Sequence, residues 1–239
     1  MSGSRHNYLY LAGLACQAER YEDMIESMKQ VVCLGGELSP DERNLLSAAY
    51  KMTTDSRRLS WKTVSTIEKK EQSSGRQTQL SLVSRCREKI EHELIHGCEE
   101  ILELLTRQLI PAAISSEAQV FYLKMRGDYY RYLAEFLDVD RQGQNLAQRS
   151  LDAYTSAMTI ATDHLSPASP VRLGLALNFA VYYKEIANSR SSACNIASQA
   201  VEDAMRIHGV LDETEFGCAA LPIRLLQDNL SLWKLDMSA

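Results

Sequence analysis

The stretch SPDERNLLSAAYKMTTDSRRLSWKTVSTIEKKEQSSG, residues 39–75, decides the fold class. Ser39 can cap a helix, Pro40 suits a first turn whose N–H groups need no partner, and Glu42, three residues after Ser39, completes a capping box. From Pro40 onward no glycine or proline interrupts the chain until Gly75. The spacing predicts a helix of roughly thirty residues, longer than the usual 8–20 or so, and hence a spine on which other helices pack.

Outward from that spine, uninterrupted helical-length stretches run over residues 80–110, 116–137, 145–164, 171–188, 193–208 and 212–233. The breaks between them are Gly35-Gly36, residues 72–77, Pro111, residues 138–144, residues 166–170 and Gly209. None is a long linker, so one continuous all-helical domain is expected over residues 1–239. No fixed-period repeat is visible, which disfavours a tetratricopeptide-type array. At the front, Arg5 precedes an apolar run from Tyr8 to Cys16 that faintly resembles a signal-peptide core. The apolar spacing continues through Leu14, Ala18, Tyr21, Ile25 and Met28, which suits the first helices of a folded domain better.

Composition narrows the function classes. Gly and Pro together number 16 of 239 residues, too few for a turn-rich all-β fold. The apolar stretch Leu173 to Tyr183 falls short of the ~20 residues that span a membrane. The net charge of −5 offers no global attraction to nucleic acid or to an anionic membrane. Six cysteines (16, 33, 86, 98, 194, 218) form no C-x-x-C pair and read as reduced thiols of a cytosolic protein rather than a secreted disulfide framework.

The average charge hides an asymmetry. Residues 51–70 carry six basic and two acidic side chains, a local +4 within a chain whose remainder is −9. Lys51, Arg58 and Lys62, spaced by seven and four, share one helical face. Asp55 stands four after Lys51 and three before Arg58, able to pair with either and to repel an incoming anion. A solvated basic stripe is the plain alternative.

A second basic face lies in residues 121–135, where Lys124 and Arg131 are again seven apart with Asp128 between them. If the two helices faced each other, Lys51, Arg58, Arg131 and Tyr132 could surround one phosphate dianion: arginine offers a planar fork, lysine a point charge and tyrosine a neutral donor. Aromatic core packing with intrahelical ion pairs is the alternative, and the better reading for Tyr129 and Tyr130. Asn178 interrupts one apolar segment and Asn229 another; a carboxamide can hold an extended peptide backbone while neighbouring leucines grip its side chains, or it can be a structural hydrogen bonder.

His92-Glu93-Leu94-Ile95-His96 is a formal H-E-x-x-H, which on a helix places two imidazoles on one face for zinc. The flank does not continue as G-x-x-H, and no third ligand stands at a recognised spacing. A zinc hydrolase through His92, Glu93 and His96 is therefore the remote alternative. No phosphate-binding or dinucleotide-binding glycine loop and no nucleophile elbow occurs.

Residues 43–51 (RNLLSAAYK), the segment from Phe121 to Glu135, residues 173–179 (LGLALNF) and residues 225–233 (LLQDNLSLW), with QAERY at 17–21, closely resemble the signature stretches of 14-3-3 proteins, in collinear order over nearly the whole chain. The resemblance implies a nine-helix, cup-shaped protomer that binds phosphoserine or phosphothreonine segments of client proteins in an amphipathic groove. The resemblance further implies an adapter without enzymatic activity, and it implies no cofactor or metal. The family's phosphate pocket falls on Lys51, Arg58, Arg131 and Tyr132. Its peptide-backbone and groove residues fall on Asn178 and Asn229, with Leu177, Val181, Leu221, Leu225 and Trp233 as the apolar wall and Lys124 and Glu185 as supporting polar groups.

The same resemblance implies a dimer, of two copies or with another family member, through N-terminal helices at about residues 1–35, the groove being built by residues 39–235. The dimer contact falls on Leu14, Ala18, Arg20, Asp23, Cys86, Lys89 and Glu93. The cytoplasm is the expected compartment, with the nucleus as a second one. Four positions depart from the family pattern. Met52 stands for an asparagine and Asp55 for a small residue on the pocket face, predicting a lower phosphate affinity. Pro222 stands for an aliphatic wall residue, predicting a later start of the last helix or a reshaped groove. Cys86 stands for a tyrosine, predicting a weaker dimer. The family's acidic tail is nearly absent after Trp233.

Overall fold

In the computed structural model, Ser39 opens the longest helix as its neighbours predict. Glu42 N–H donates to Ser39 Oγ at 3.3 Å and Ser39 N–H donates to Glu42 Oε2 at 2.9 Å, so two donors at the helix start are satisfied reciprocally. The structure describes residues 2–137, 145–207 and 213–238, with side chains over 4–137, 145–207 and 217–235. Among the described residues there are nine helices and no strand: α1 Ser2–Gln17, α2 Tyr21–Cys33, α3 Pro40–Ser73, α4 Gln77–Leu104, α5 Ser116–Ala134, α6 Leu146–His164, α7 Pro170–Glu185, α8 Arg190–Arg206 and α9 Glu213–Ser238. The all-α expectation holds. The expected breaks at 138–144 and Gly209 lie outside the described residues.

Helix α4 continues past Leu104: a π-helical turn, Leu105–Leu109, and the short piece Ile110–Ala112 extend it. Ile110 N–H reaches back five residues to the Leu105 carbonyl. Pro111, one position before the end of the extension, cannot donate to the turn behind it, and a widened turn accommodates that loss without ending the helix.

The chain falls into two compact units, Met1–Ala112 and Ala113–Ala239. In the first, α1 packs on α2 and α3, α2 on α3, and α3 on α4, around Met24, Met28, Val31, Leu46, Ala49, Leu94 and Ile101. Arg5 has a structural task there. Its guanidinium forks onto Glu42, with Nε to Oε1 at 2.9 Å and Nη2 to Oε2 at 2.7 Å, and Nη1 donates to the Gly35 carbonyl at 3.1 Å. The same carboxylate therefore closes the α3 capping box and anchors α1. Gly35 and Gly36 turn the chain between α2 and α3 at φ of 79° and 84°, where a side chain would be strained.

In the second unit α5 packs on α6 and α7, and α7 also packs on α6, α8 and α9. Helix α8 presents Ala193, Ala197 and Ala204, all fully buried, to the cluster that holds Leu173, Ala180, Ile223, Leu226, Leu230 and Trp233. Tyr154 of α6 stacks on Phe179 of α7 with ring centroids 5.4 Å apart.

The prediction that Pro222 delays the last helix is overturned, since α9 begins at Glu213 and contains it. Proline removes one backbone donor, but Ile223, Leu226, Leu230 and Trp233 bury themselves just beyond it, and that packing keeps the segment helical. Among the described residues no helix is long and apolar enough to cross a membrane. Among the described residues none of the six cysteines is in a disulfide.

Candidate functional site

On α3, Lys51 Nζ and Arg58 Nη1 approach the two oxygens of one carboxylate, Asp55 Oδ2 at 3.2 Å and Oδ1 at 3.1 Å. The helix makes this inevitable: residues four before and three after Asp55 lie on its own face, one turn to either side. Asp55 thus pairs with both cations, where its sequence position had left the choice open. The three side chains grade from solvent inward, with Lys51 61% exposed, Asp55 38% and Arg58 17%.

The second unit repeats the register. Lys124, Asp128 and Arg131 stand on α5 at the same spacing, K-M-x-x-D-x-x-R in both helices. Asp128 differs from Asp55 in being buried, with Lys124 Nζ at 2.9 Å and Arg131 Nη2 at 3.9 Å. Its Oδ1 also accepts from Tyr154 Oη at 2.5 Å and Asn178 Nδ2 at 2.7 Å. Burial by itself would raise the Asp128 carboxyl, yet the Lys124 and Arg131 charges and the bonds from Tyr154 and Lys124 outweigh it and hold the pKa below the ordinary value. Burial and the Asp128 charge push the Tyr154 phenol well up. Arg131 is 6% exposed, donating Nε to Tyr154 Oη at 3.3 Å and Nη1 to Glu135 at 3.2 Å, with its Cζ 4.7 Å from the centre of the Tyr132 ring. Burial opposes its charge, but the surrounding Tyr154, Tyr132 and Asp128 oxygens win and raise its pKa.

Gly127 explains how Tyr154 gets there. A Cβ on Gly127 would lie 2.7 Å from the Tyr154 ring, closer than carbon atoms tolerate, so the ring can cross α5 only at a glycine. Ser150 Oγ donates to the Gly127 carbonyl at 2.8 Å and fixes the same crossing. Tyr154 and Gly127 escaped the sequence reading, as did the role of Asp128 as a hub. The repeated K-M-x-x-D-x-x-R register was the available signal.

Asn178 lies on α7 with Leu177 and Val181, which are half-buried against the core, while Glu185 ends the helix in solvent. On α9 the stripe Leu221, Leu225, Asn229, Trp233 recurs every four residues. Leu221 is 65% and Leu225 42% exposed, whereas Trp233 is only 7% exposed and belongs to the core cluster. A four-residue repeat drifts by about 40° per step on a helix of 3.6 residues per turn, so the stripe rotates from solvent at one end into the core at the other.

The residues of the expected dimer contact share one property: Leu14, Ala18, Arg20, Asp23, Cys86, Lys89 and Glu93 are all exposed. Arg20 pairs with Asp23, and Glu93 with Arg57, which also reaches Glu22. Among the described residues no group of three His, Cys, Asp or Glu side chains is arranged to hold a metal, so His92 and His96 find no third ligand there.

The family model described as 14-3-3 protein matches residues 11–234. The chain is 50% identical over 236 residues to the checkpoint signal transducer rad25 of Schizosaccharomyces pombe, covering 99% of this chain and 87% of that one. It is 50% identical over 239 residues to the protein BMH1 of Saccharomyces cerevisiae, covering 100% and 89%. With the 14-3-3-like protein GF14 omega of Arabidopsis thaliana the identity is 48% over 239 residues, covering 99% and 92%.

Proposed function

The chain belongs to the 14-3-3 family, and on that premise we propose that it is a non-enzymatic adapter that binds phosphoserine or phosphothreonine segments of client proteins. The observation that carries this reading is the pair of cationic triplets at one register on α3 and α5, in a chain of net charge −5. Lys51, Arg58, Arg131 and Tyr132 are the phosphate-binding residues of the proposal, since ionised donors on a dianion make the strongest hydrogen bonds a protein offers and a serine hydroxyl cannot replace it. Asn178 and Asn229 hold the client backbone, Leu177, Val181, Leu221, Leu225 and Trp233 line the groove, and Lys124 and Glu185 are its supporting polar groups.

The whole chain acts as one all-helical domain in the cytoplasm, without a metal or cofactor. Two copies, or one copy and another family member, join through the exposed set Leu14, Ala18, Arg20, Asp23, Cys86, Lys89 and Glu93, so that two phosphosites on one client are held at high effective concentration. Fluorescence polarisation with one peptide in its serine and phosphoserine forms tests the binding, and equal affinity for the two overturns it. Sedimentation tests the dimer, and a monomer at all concentrations overturns that part.

A further inference from the structure

We infer that Asp55 is an internal anion that occupies the Lys51 and Arg58 cations until a phosphate displaces it, and so sets the affinity threshold of the site; this rests on the phosphate-binding reading above. The argument is the contrast between two carboxylates at one register. Asp128 is buried and bound by Tyr154 and Asn178 as well as by its two cations, so it is a fixed part of α5. Asp55 is 38% exposed, and among the described residues its bonds are to Lys51 and Arg58 alone. Nothing anchors its carboxylate apart from the groups a phosphate would take.

Its two oxygens already sit where two phosphate oxygens would accept from the same ammonium and the same guanidinium. Binding therefore exchanges one anion for another instead of filling open donors. The released carboxylate then stays on the same helical face beside the phosphate and repels it. A client must supply more negative charge than the carboxylate it replaces, which a phosphate dianion does and a single carboxylate does not.

The size of the effect follows from the exposure of the pairs. Each exposed ion pair contributes little, and losing two of them, with the repulsion, corresponds to about a three- to tenfold change in affinity. The experiment is polarisation of a labelled phosphoserine peptide and its serine counterpart against the wild-type chain, Asp55→Ala and Asp55→Asn, with thermal melting to show that all three fold. The asparagine variant keeps the size of the side chain and removes only its charge.

The expected result is a three- to tenfold tighter phosphoserine complex in both variants, with the serine peptide unchanged. If the wild type prefers the phosphoserine peptide and neither variant binds it more tightly, the internal anion is refuted while the phosphate reading stands. If no form of the protein distinguishes the two peptides, both are refuted. If only the variants distinguish them, Asp55 is the threshold in its strongest form.

Discussion

Asn178 on α7 donates its Nδ2 to Asp128 Oδ1 on α5 across 2.7 Å. An asparagine proposed to hold a client backbone is thereby oriented by a buried carboxylate fifty residues earlier, and that carboxylate is in turn held by Lys124, Arg131 and Tyr154. Asp128→Asn replaces the anion with a carboxamide and leaves the buried Arg131 guanidinium and the half-buried Lys124 undercompensated. The expected cost is about 3–5 kcal/mol, the range for breaking a buried ionic set by removing one partner. Urea unfolding checks it, and a midpoint equal to wild type contradicts the hub.

Gly127→Ala places a methyl group 2.7 Å from the Tyr154 ring. Overpacking of this kind costs about 1–3 kcal/mol. If the damage acts through Tyr154, its combination with Tyr154→Ala should cost less than the sum of the single changes. Thermal melts of the three variants decide, and strict additivity rejects the coupling.

Acid should loosen the first unit through Glu42. Its hydrogen bond from Arg5 is the largest influence and lowers its pKa, burial opposes, and the Ser39 N–H bond lowers it further. A carboxyl depressed in the folded state stabilises fully above its unfolded pKa of about 4.3 and loses that contribution as pH falls through the lower folded value. Glu42→Gln should therefore be less stable than wild type at neutral pH and converge with it in acid. Parallel stability curves from pH 7 to pH 2 speak against the linkage.

Arg58→Ala is expected to weaken phosphoserine-peptide binding by at least about 1.5 kcal/mol, the lower end for a hydrogen bond to a charged group. Arg131→Lys should do the same with a smaller loss of fold, because lysine keeps the charge but lacks the planar fork that reaches both Tyr154 and Glu135. Polarisation measures both. Unchanged affinity in the pair would place the phosphate elsewhere.

The helices were legible because their signals are local. Ser39 and Glu42 announce α3, and the absence of Gly and Pro sets its length, which ends at Ser73, just short of Gly75. Asp55 was legible as a group able to reach two cations, since helical spacing alone decides that. Gly127 was not, because its reason is a ring 27 residues away on another helix, and helix propensity counts a mid-helix glycine only as a defect. Trp233 is a groove wall only by the family resemblance, and the drift of the four-residue spacing around α9 explains why it is buried. Pro222 shows the converse limit: a strong local breaker yields to the packing that follows it.

The unequal burial of Asp55 and Asp128 is also a difference in timescale. Exposed side chains change rotamer in picoseconds to nanoseconds, whereas a buried network opens only with local unfolding, in microseconds or longer. The α3 triplet can therefore rearrange many times during one diffusional encounter, and swapping its anion adds no kinetic barrier to capture. The α5 triplet keeps one arrangement throughout. The exposed carboxylate of the first triplet is free to give way to another anion, whereas the buried one of the second is fixed in place.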